Sequence, residues 1–235
     1  MMNKDDEILF HLSQCNLLTR DHIAKLTHRN HSWLDEALKR MVSQKKIYCK
    51  DRGRWLARVY AVYDISKRES FDHDLPLADL YTATYLTGKL LDWSQPKQKF
   101  ESDLNEDVTK IIQAGEREIT YQVEYETGKN NRNHIVEVHK RYIQLRENEL
   151  FNVLWILRDE RHKKLSSYLQ IGGDLLKSER YPRYHIKNPS THKFFLYVLQ
   201  EDYLKDPAGY VCQIPVPDHK TNKFKKYLIA PHLIK

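Results

Sequence analysis

The first 70 residues combine three helical patterns with one glycine-centred hairpin, and this order restricts the fold more than any other feature of the sequence. Apolar residues recur at helical spacing from about Asp6 to Cys15. Thr19 is expected to cap a second, short helix, and Ser32 a third. Two strand-like runs then flank Asp51-Arg-Gly-Arg54. The segment is therefore expected to fold as three helices followed by a two-stranded hairpin.

Basic and polar residues of this segment indicate a nucleic-acid partner. Three helices followed by a basic hairpin are typical of a winged helix-turn-helix, whose third helix enters the major groove and whose wing contacts the DNA backbone. The candidate contacts are Arg29, Asn30, His31, Ser32 and Lys39 around the third helix, and Arg52 and Arg54 on the wing. Trp33 is expected to pack rather than to read bases. A winged helix that binds protein instead of DNA is the alternative.

Charge is distributed unevenly along the 235 residues. The formal net charge of +7 divides into +5 over residues 1–70, −3 over residues 71–170 and +5 over residues 171–235. Basic ends can neutralise phosphates, and an acidic middle can hold a divalent metal. A solvated surface with uneven charge is the other reading of this pattern.

Composition excludes several classes of protein. Hydrophobic residues make up 40% of the chain and aromatic residues 11%, which is enough for a core and argues against disorder. No apolar stretch approaches 18 residues, and the N-terminus lacks the pattern of a signal peptide, so neither membrane insertion nor export is expected. Cys15, Cys49 and Cys212 are far apart, which argues against a disulfide framework and fits a reducing cytoplasm. The zincin, P-loop and dinucleotide motifs are absent from the sequence.

The middle of the chain alternates helical and strand patterns. In order, the sequence predicts a helix from His73 to Leu86, strands over 106–112 and 119–126 around Gly115, a helix over 131–147, a buried strand over 151–157 and a helix over 159–169. Gly172-Gly173 is expected to end this region. Short strands over 184–186 and 194–199 follow, and the ordered pattern ends at Pro217.

Three carboxylates are expected to gather on the two central strands. Asp107 begins one strand, and Glu124 and Glu126 leave the same face of the next because they differ by two positions. Such a group is costly unless Mg²⁺, Mn²⁺, a lysine or an arginine balances its charge. Carboxylates exposed on an edge strand are the alternative.

The C-terminal residues form a basic tail. His219-Lys-Thr-Asn-Lys-Phe-Lys-Lys-Tyr places four lysines among aromatic residues, a pattern that suits single-stranded nucleic acid. A solvated tail that aids solubility is the alternative.

Five segments occur in an order that matches a known family. They are Leu17-Leu-Thr-Arg-Asp-His-Ile-Ala-Lys-Leu, Arg58-Val-Tyr-Ala-Val-Tyr, His73-Asp-Leu-Pro-Leu-Ala-Asp, Val123-Glu-Tyr-Glu-Thr-Gly and Phe194-Phe-Leu-Tyr-Val-Leu-Gln-Glu-Asp-Tyr-Leu-Lys-Asp-Pro. Over about residues 5–217 the chain resembles the replication-relaxation family, which includes the MOBC class of plasmid mobilisation relaxases. The resemblance implies an α+β fold: a winged helix over 1–70, a PD-(D/E)xK nuclease domain with a restriction-endonuclease-like mixed sheet flanked by helices over 71–217, and the tail over 218–235.

The resemblance also implies a nuclease site. Asp107 matches the aspartate of the PD element, and Glu124 and Glu126 match the two acidic strand positions, so all three are expected to hold Mg²⁺ or Mn²⁺. Two residues depart from the motif: Glu106 stands where the motif has proline, and Glu126 stands where it has lysine.

A cation must then come from elsewhere. Lys140, Lys129 or His139 could supply it. His73 matches the histidine that leads a helix in the family, with a catalytic, a capping or a packing role.

Together these features predict a cytoplasmic, metal-dependent DNA endonuclease. This hydrolase would nick DNA at an origin of transfer during plasmid mobilisation or conjugation, binding double-stranded and also single-stranded DNA with other relaxosome or transfer proteins. The chain has no His-x-His pair, which argues against the histidine-cluster and tyrosine-nucleophile mechanism of other relaxases. The alternatives are an inactive DNA-binding replication, transfer or transcription regulator of a mobile element, and a partner-binding scaffold.

Overall fold

The computed structural model describes residues 3–53, 56–95, 107–127, 130–145, 151–158, 162–177, 195–207, 212–217 and 224–229. The chain divides into two compact units, Met1–Gln98 and Lys99–Lys235. Helices and two sheets make up the architecture, which confirms the α+β class.

The first unit contains the three expected helices and the hairpin. Its elements are α1 (Lys4–Gln14), β1 (Leu18–Thr19), α2 (Arg20–Thr27), α3 (His31–Ser43), β2 (Tyr48–Lys50), β3 (Val59–Ala61), α4 (Asp74–Tyr85) and β4 (Leu90–Ser94). Strands β1, β3 and β2 form an antiparallel sheet in that order. The hairpin turn uses Gly53 with a φ of 108°, a conformation that side chains disfavour.

Short polar side chains begin the three N-terminal helices. The Asn3 side chain accepts from the Asp5 amide, and Thr19 forms a capping box with His22, as expected for Thr19. The start of α3 differs from the expectation at Ser32. The cap is Asn30, whose Oδ1 accepts from the Trp33 amide at 2.9 Å, because the helix begins earlier and an asparagine side chain reaches the third amide as well as a serine does.

Helix α4 belongs to the first unit, whereas the sequence placed the domain boundary at residue 70. Its Tyr81 hydroxyl lies 2.7 Å from Nδ1 of His11, and Asp79 Oδ1 lies 2.8 Å from Nε2 of His22. Buried Asp74 pairs with Arg68 and accepts from the side chain of Asn16. These contacts tie α4 to α1, α2 and the segment before it, so the division falls after Gln98 instead.

The second unit is built on a mixed sheet. Its elements are β5 (Val108–Ala114), β6 (Arg117–Glu126), α5 (Arg132–Leu145), β7 (Asn152–Leu157), α6 (His162–Lys177), β8 (Phe195–Leu199), α7 (Gln200–Lys205), β9 (Cys212–Pro217) and β10 (Phe224–Ile229). The strand order is β10-β9-β8-β7-β6-β5. Strands β6, β7 and β8 run parallel, with α5 and α6 in the connections, and the remaining pairs are antiparallel.

A buried aromatic cluster joins α5 and α6 to the central strands. The His139 ring stacks on Trp155 with centroids 4.5 Å apart, and its Nδ1 donates to the Ile135 carbonyl at 2.8 Å. Its Nε2 therefore accepts from the hydroxyl of Tyr197, at 2.9 Å. Each polar atom of this imidazole has a partner, which offsets the cost of burying it.

The expected break at Gly172-Gly173 is wrong, because both glycines lie inside α6. Gly172 packs so closely against β8 that a Cβ there would overlap the hydroxyl oxygen of Tyr197. Glycine is used here for close approach rather than for a turn.

The prediction that ordered secondary structure ends at Pro217 is also wrong. Residues 224–229 of the basic tail form β10 and pair with β9 from Phe224 opposite Pro217 to Ile229 opposite Cys212. The Phe-Lys-Lys-Tyr-Leu-Ile sequence combines aromatic and β-branched residues that favour a strand. The rest of the tail and the strand expected over 184–186 lie outside the described residues.

Burial of two histidines makes stability depend on pH. Burial lowers the pKa of both His11 and His139 to about 4. The unfolded chain therefore takes up protons first as the pH falls. The stabilisation is complete above about pH 6.5 and is lost between pH 6.5 and 4, by up to about 3 kcal/mol for fully buried His139.

Urea denaturation at pH 7.0 and 4.5 measures this loss. We expect His139→Gln to reduce the difference in unfolding free energy between the two pH values. His134→Gln, which replaces an exposed histidine of the same helix, should leave it unchanged. Equal pH dependence in the two variants would contradict the assignment.

Candidate functional site

The two glutamates of β6 share one face of the strand, as expected. Val123 and Tyr125 are buried on the opposite face. Glu124 is half-buried, and Glu126 is only 3% exposed. Burial of a carboxylate is costly without partners, so the groups that surround these two decide what the site can do.

Asp107 lies next to Glu124 across the β5–β6 pair. Val108 pairs with Val123, and one further step along the antiparallel register places Asp107 opposite Glu124. Asp107 is 4% exposed, and its Oδ2 accepts from the backbone amide of Tyr125 at 2.8 Å. The hairpin thus brings together two of the three expected carboxylates.

Two tyrosines from the crossover helices bind the glutamates. The hydroxyl of Tyr142 on α5 donates to Oε1 of Glu124. The hydroxyl of Tyr168 on α6 bonds to Glu126, and burial together with this bond raises the pKa of Tyr168, so the phenol stays protonated. The Asn130 amide donates to Oε2 of Glu126 at 2.9 Å. These two partners of Glu126 are neutral donors.

The residues expected to supply a cation do not pair with the three carboxylates in the described part of the chain. The ammonium of Lys140 pairs with Glu137 at 2.8 Å, where Glu137 is exposed. His139 is buried in the aromatic cluster with a pKa of about 4, so it is neutral near pH 7. Lys129 lies outside the described residues.

Lys110 was missed by the sequence analysis. It is fully buried on β5, its Nζ donates to the hydroxyl of Tyr203 at 3.0 Å, and it lies 5.0 Å from the ring centroid of Tyr121. The available signal was its position between Val108 and Ile112, which alternation turns to the inner face. Cation–π contacts and a hydroxyl acceptor stabilise the buried ammonium.

The carboxylates of the site can be compared with the ligands that a divalent metal ion requires. In the described part of the chain, no group of three or more His, Cys, Asp or Glu is arranged to hold a metal ion. Asp107 and Glu124 nonetheless offer carboxylate oxygens from facing positions. Mg²⁺ is commonly held by one or two carboxylates that water and substrate phosphates supplement. The pair fits such a site, because the Tyr142 hydroxyl and the Tyr125 amide bind these carboxylates as outer partners bind metal ligands. Glu126 is hydrogen-bonded to Asn130 and Tyr168.

His73 directly precedes α4 in the first unit, at the N-cap position. Its side chain is half-buried and makes no capping hydrogen bond with the helix. A capping role is therefore excluded for this histidine.

The predicted DNA contacts of the third helix have different environments. Asn30 caps α3, and Arg29 lies 5.8 Å from the Trp33 ring and 3.6 Å from Glu7. His31 lies 3.5 Å from Asp21. Ser32 and Lys39 are exposed, and Lys39 makes no ion pair or hydrogen bond with any described residue.

The hairpin contributes a cation that the sequence analysis did not select. Arg58 is 64% exposed and lies 3.4 Å from Asp51. Arg52 is half-buried in the turn, and Arg54 lies outside the described residues. Arg58 precedes β3 directly, so its position beside the turn was available from the sequence.

A groove of about 630 Å³ runs between α3 and this hairpin. Arg20, Lys39 and Arg58 line it together with Asp21, Asp35 and Tyr60. Its lining thus combines three cations with two carboxylates.

No protein-family model, curated protein or solved structure matches the chain. None of the described helices has the length and apolar content needed to cross a membrane.

Proposed function

We propose that the chain is a relaxase-like DNA endonuclease that nicks DNA at an origin of transfer with the help of Mg²⁺ or Mn²⁺. The main observation in support of this proposal is the placement of Asp107 opposite Glu124 on the β5–β6 hairpin. Bound there, Mg²⁺ or Mn²⁺ would supply a water of lowered pKa and charge stabilisation at the scissile phosphate.

The residues of the second unit would position this chemistry. Asp107 and Glu124 offer the metal ligands, and the Tyr142 hydroxyl orients the carboxylate of Glu124. The backbone amide of Tyr125 orients Asp107 in the same way. The mixed sheet with helices in its crossovers supports the restriction-endonuclease-like assignment.

The first unit would bind duplex DNA as a winged helix. Three helices followed by an antiparallel hairpin support this assignment, with α3 in the major groove and the hairpin on the backbone. Exposed Lys39 and Arg58 border the groove that the DNA backbone would enter. The partners would be plasmid DNA and other transfer proteins.

A second candidate is a catalytically inactive DNA-binding regulator of a mobile element. The observation that favours it is the pairing of each candidate group with another residue: Glu126 with Tyr168 and Lys140 with Glu137. In such a protein the carboxylates would serve stability rather than catalysis.

A plasmid nicking assay separates the two candidates. Supercoiled DNA that carries the region flanking the gene is incubated with Mg²⁺ or Mn²⁺. Wild-type protein should yield open circles, EDTA should abolish them, and Glu124→Ala should reduce them at least about 100-fold because a metal ligand is lost. Glu118→Ala, which removes an exposed glutamate of the same strand, should nick like wild type.

Urea denaturation monitored by circular dichroism serves as the folding control for Glu124→Ala, because Glu124 lies in the second unit. An unfolding transition like that of wild type, without nicking, assigns the loss to the metal site. Sequence-specific binding by wild type without nicking in any metal would favour the regulator and retire the catalytic assignments.

A further inference from the structure

Arg20 has the geometry of a phosphate-binding residue but is occupied by a carboxylate. Its Nη1 donates to both oxygens of Asp35, at 3.1 and 3.0 Å. Its Nε lies 3.7 Å from Asp21. Carboxylate and phosphate oxygens are interchangeable partners for a guanidinium, so this arrangement is also one that a DNA phosphate could take over.

The pair lies where DNA is expected. Arg20 begins α2, Asp35 belongs to α3, and both line the groove together with Lys39 and Arg58. The side chains of Arg20 and Asp35 are 39% and 55% exposed, so the pair is accessible from solvent. Exposed ion pairs contribute little to stability, which makes an exchange of partners inexpensive.

Asp35 also places a negative charge beside the approaching DNA backbone. Lys39 lies on the same helix without a partner among the described residues, whereas Arg20 is neutralised. The carboxylate thus removes one cation from the phosphate-binding set and repels the backbone as well.

We propose that Arg20 contacts a DNA phosphate in the complex, and that Asp35 occupies its guanidinium in the free protein. By competing with the phosphate, Asp35 lowers the affinity of the chain for duplex DNA of any sequence. The inference rests on the proposed duplex binding by the first unit. On binding, a phosphate replaces the Asp35 carboxylate on the guanidinium, and no covalent bond changes.

The test compares Asp35→Asn with Glu36→Gln in the full chain. Glu36 is the next residue of the same helix, is exposed, does not line the groove and has no ion pair among the described residues. Each variant removes one negative charge, but only Asp35→Asn releases Arg20. Affinity for a random-sequence duplex is measured by fluorescence anisotropy across a salt series.

Asp35→Asn should bind about 3- to 10-fold more tightly with an unchanged slope of log affinity against log salt, because Arg20 contacts a phosphate in both complexes. Arg20→Gln should flatten this slope by about 0.9, the value of one phosphate contact. Glu36→Gln should bind within about twofold of wild type with an unchanged slope. In an Arg20→Gln background, Asp35→Asn should lose most of this gain and keep only the smaller effect of removing a charge beside the DNA backbone.

Two results would overturn the proposal in different ways. If Asp35→Asn and Glu36→Gln have equal effects and wild type binds duplex DNA, only the competition between Asp35 and a phosphate for Arg20 is rejected. Weak, salt-insensitive binding by wild type would reject duplex recognition by the first unit and the inference with it.

Discussion

The affinity of the chain for duplex DNA should fall about 10³- to 10⁵-fold when the salt concentration rises from 50 to 200 mM. This range corresponds to 6–10 phosphate contacts, each of which releases counterions from the DNA. Exposed Lys39 and Arg58 in the groove of the first unit are the main candidates for such contacts. Anisotropy titrations with a labelled duplex at several salt concentrations measure the slope.

A pair of lysine variants locates the contacts. Lys39→Gln should flatten the salt slope by about 0.9, the value of one phosphate. Lys25→Gln removes an exposed lysine of α2 outside the groove and should leave the slope as it is. Weak binding that salt does not change would instead favour a scaffold that docks proteins through this unit.

Replacing Gly172 by alanine should destabilise the second unit by about 2–4 kcal/mol. A helix interior ordinarily gains stability from this change, because glycine loses more backbone entropy on folding. Here the added Cβ would overlap the Tyr197 hydroxyl, which is fully buried and bonded to Nε2 of His139. The ring must move, which costs both packing and that hydrogen bond. Urea denaturation monitored by circular dichroism measures the loss.

Tyr197→Phe supplies the matched test of this cause. It removes the overlapping oxygen, and the next atoms near the Cβ are Cζ of residue 197 at 3.4 Å and Cδ2 of His139 at 3.5 Å, both at contact distance. The double variant should therefore recover about 1–2 kcal/mol relative to the sum of the single losses. If the losses of the two single variants simply add, the overlap between the added Cβ and the Tyr197 hydroxyl does not cause the destabilisation.

Local patterns were sufficient for most of the secondary structure. Helical spacing located α1, α4 and α5, and the glycines at 53 and 115 located two hairpin turns, since both adopt positive φ. The pattern failed at Gly172, where the helix continues because β8 packs against the bare backbone. It failed again after Pro217, because β10 forms by pairing with β9, and such pairing depends on a neighbouring strand.

The candidate site was also predicted only in part. Alternation along β6 was enough to place Glu124 and Glu126 on one face, and the turn at Gly115 was enough to bring Asp107 alongside. The groups that hydrogen-bond to these carboxylates could not be predicted. Tyr142 and Tyr168 reach them from two crossover helices, and Lys140, one of the three residues expected to supply a cation, pairs with Glu137 instead.

The sequence by itself determined the local elements, the shared face of the two glutamates and the basic character of the first unit. These follow from the period of a helix, the alternation of a strand and the charge of each side chain, all of which are local properties. Only the tertiary structure decided where the units divide, which side chain each carboxylate meets and that Asp35 holds Arg20. Those outcomes depend on distances between residues far apart in the chain, which packing alone sets.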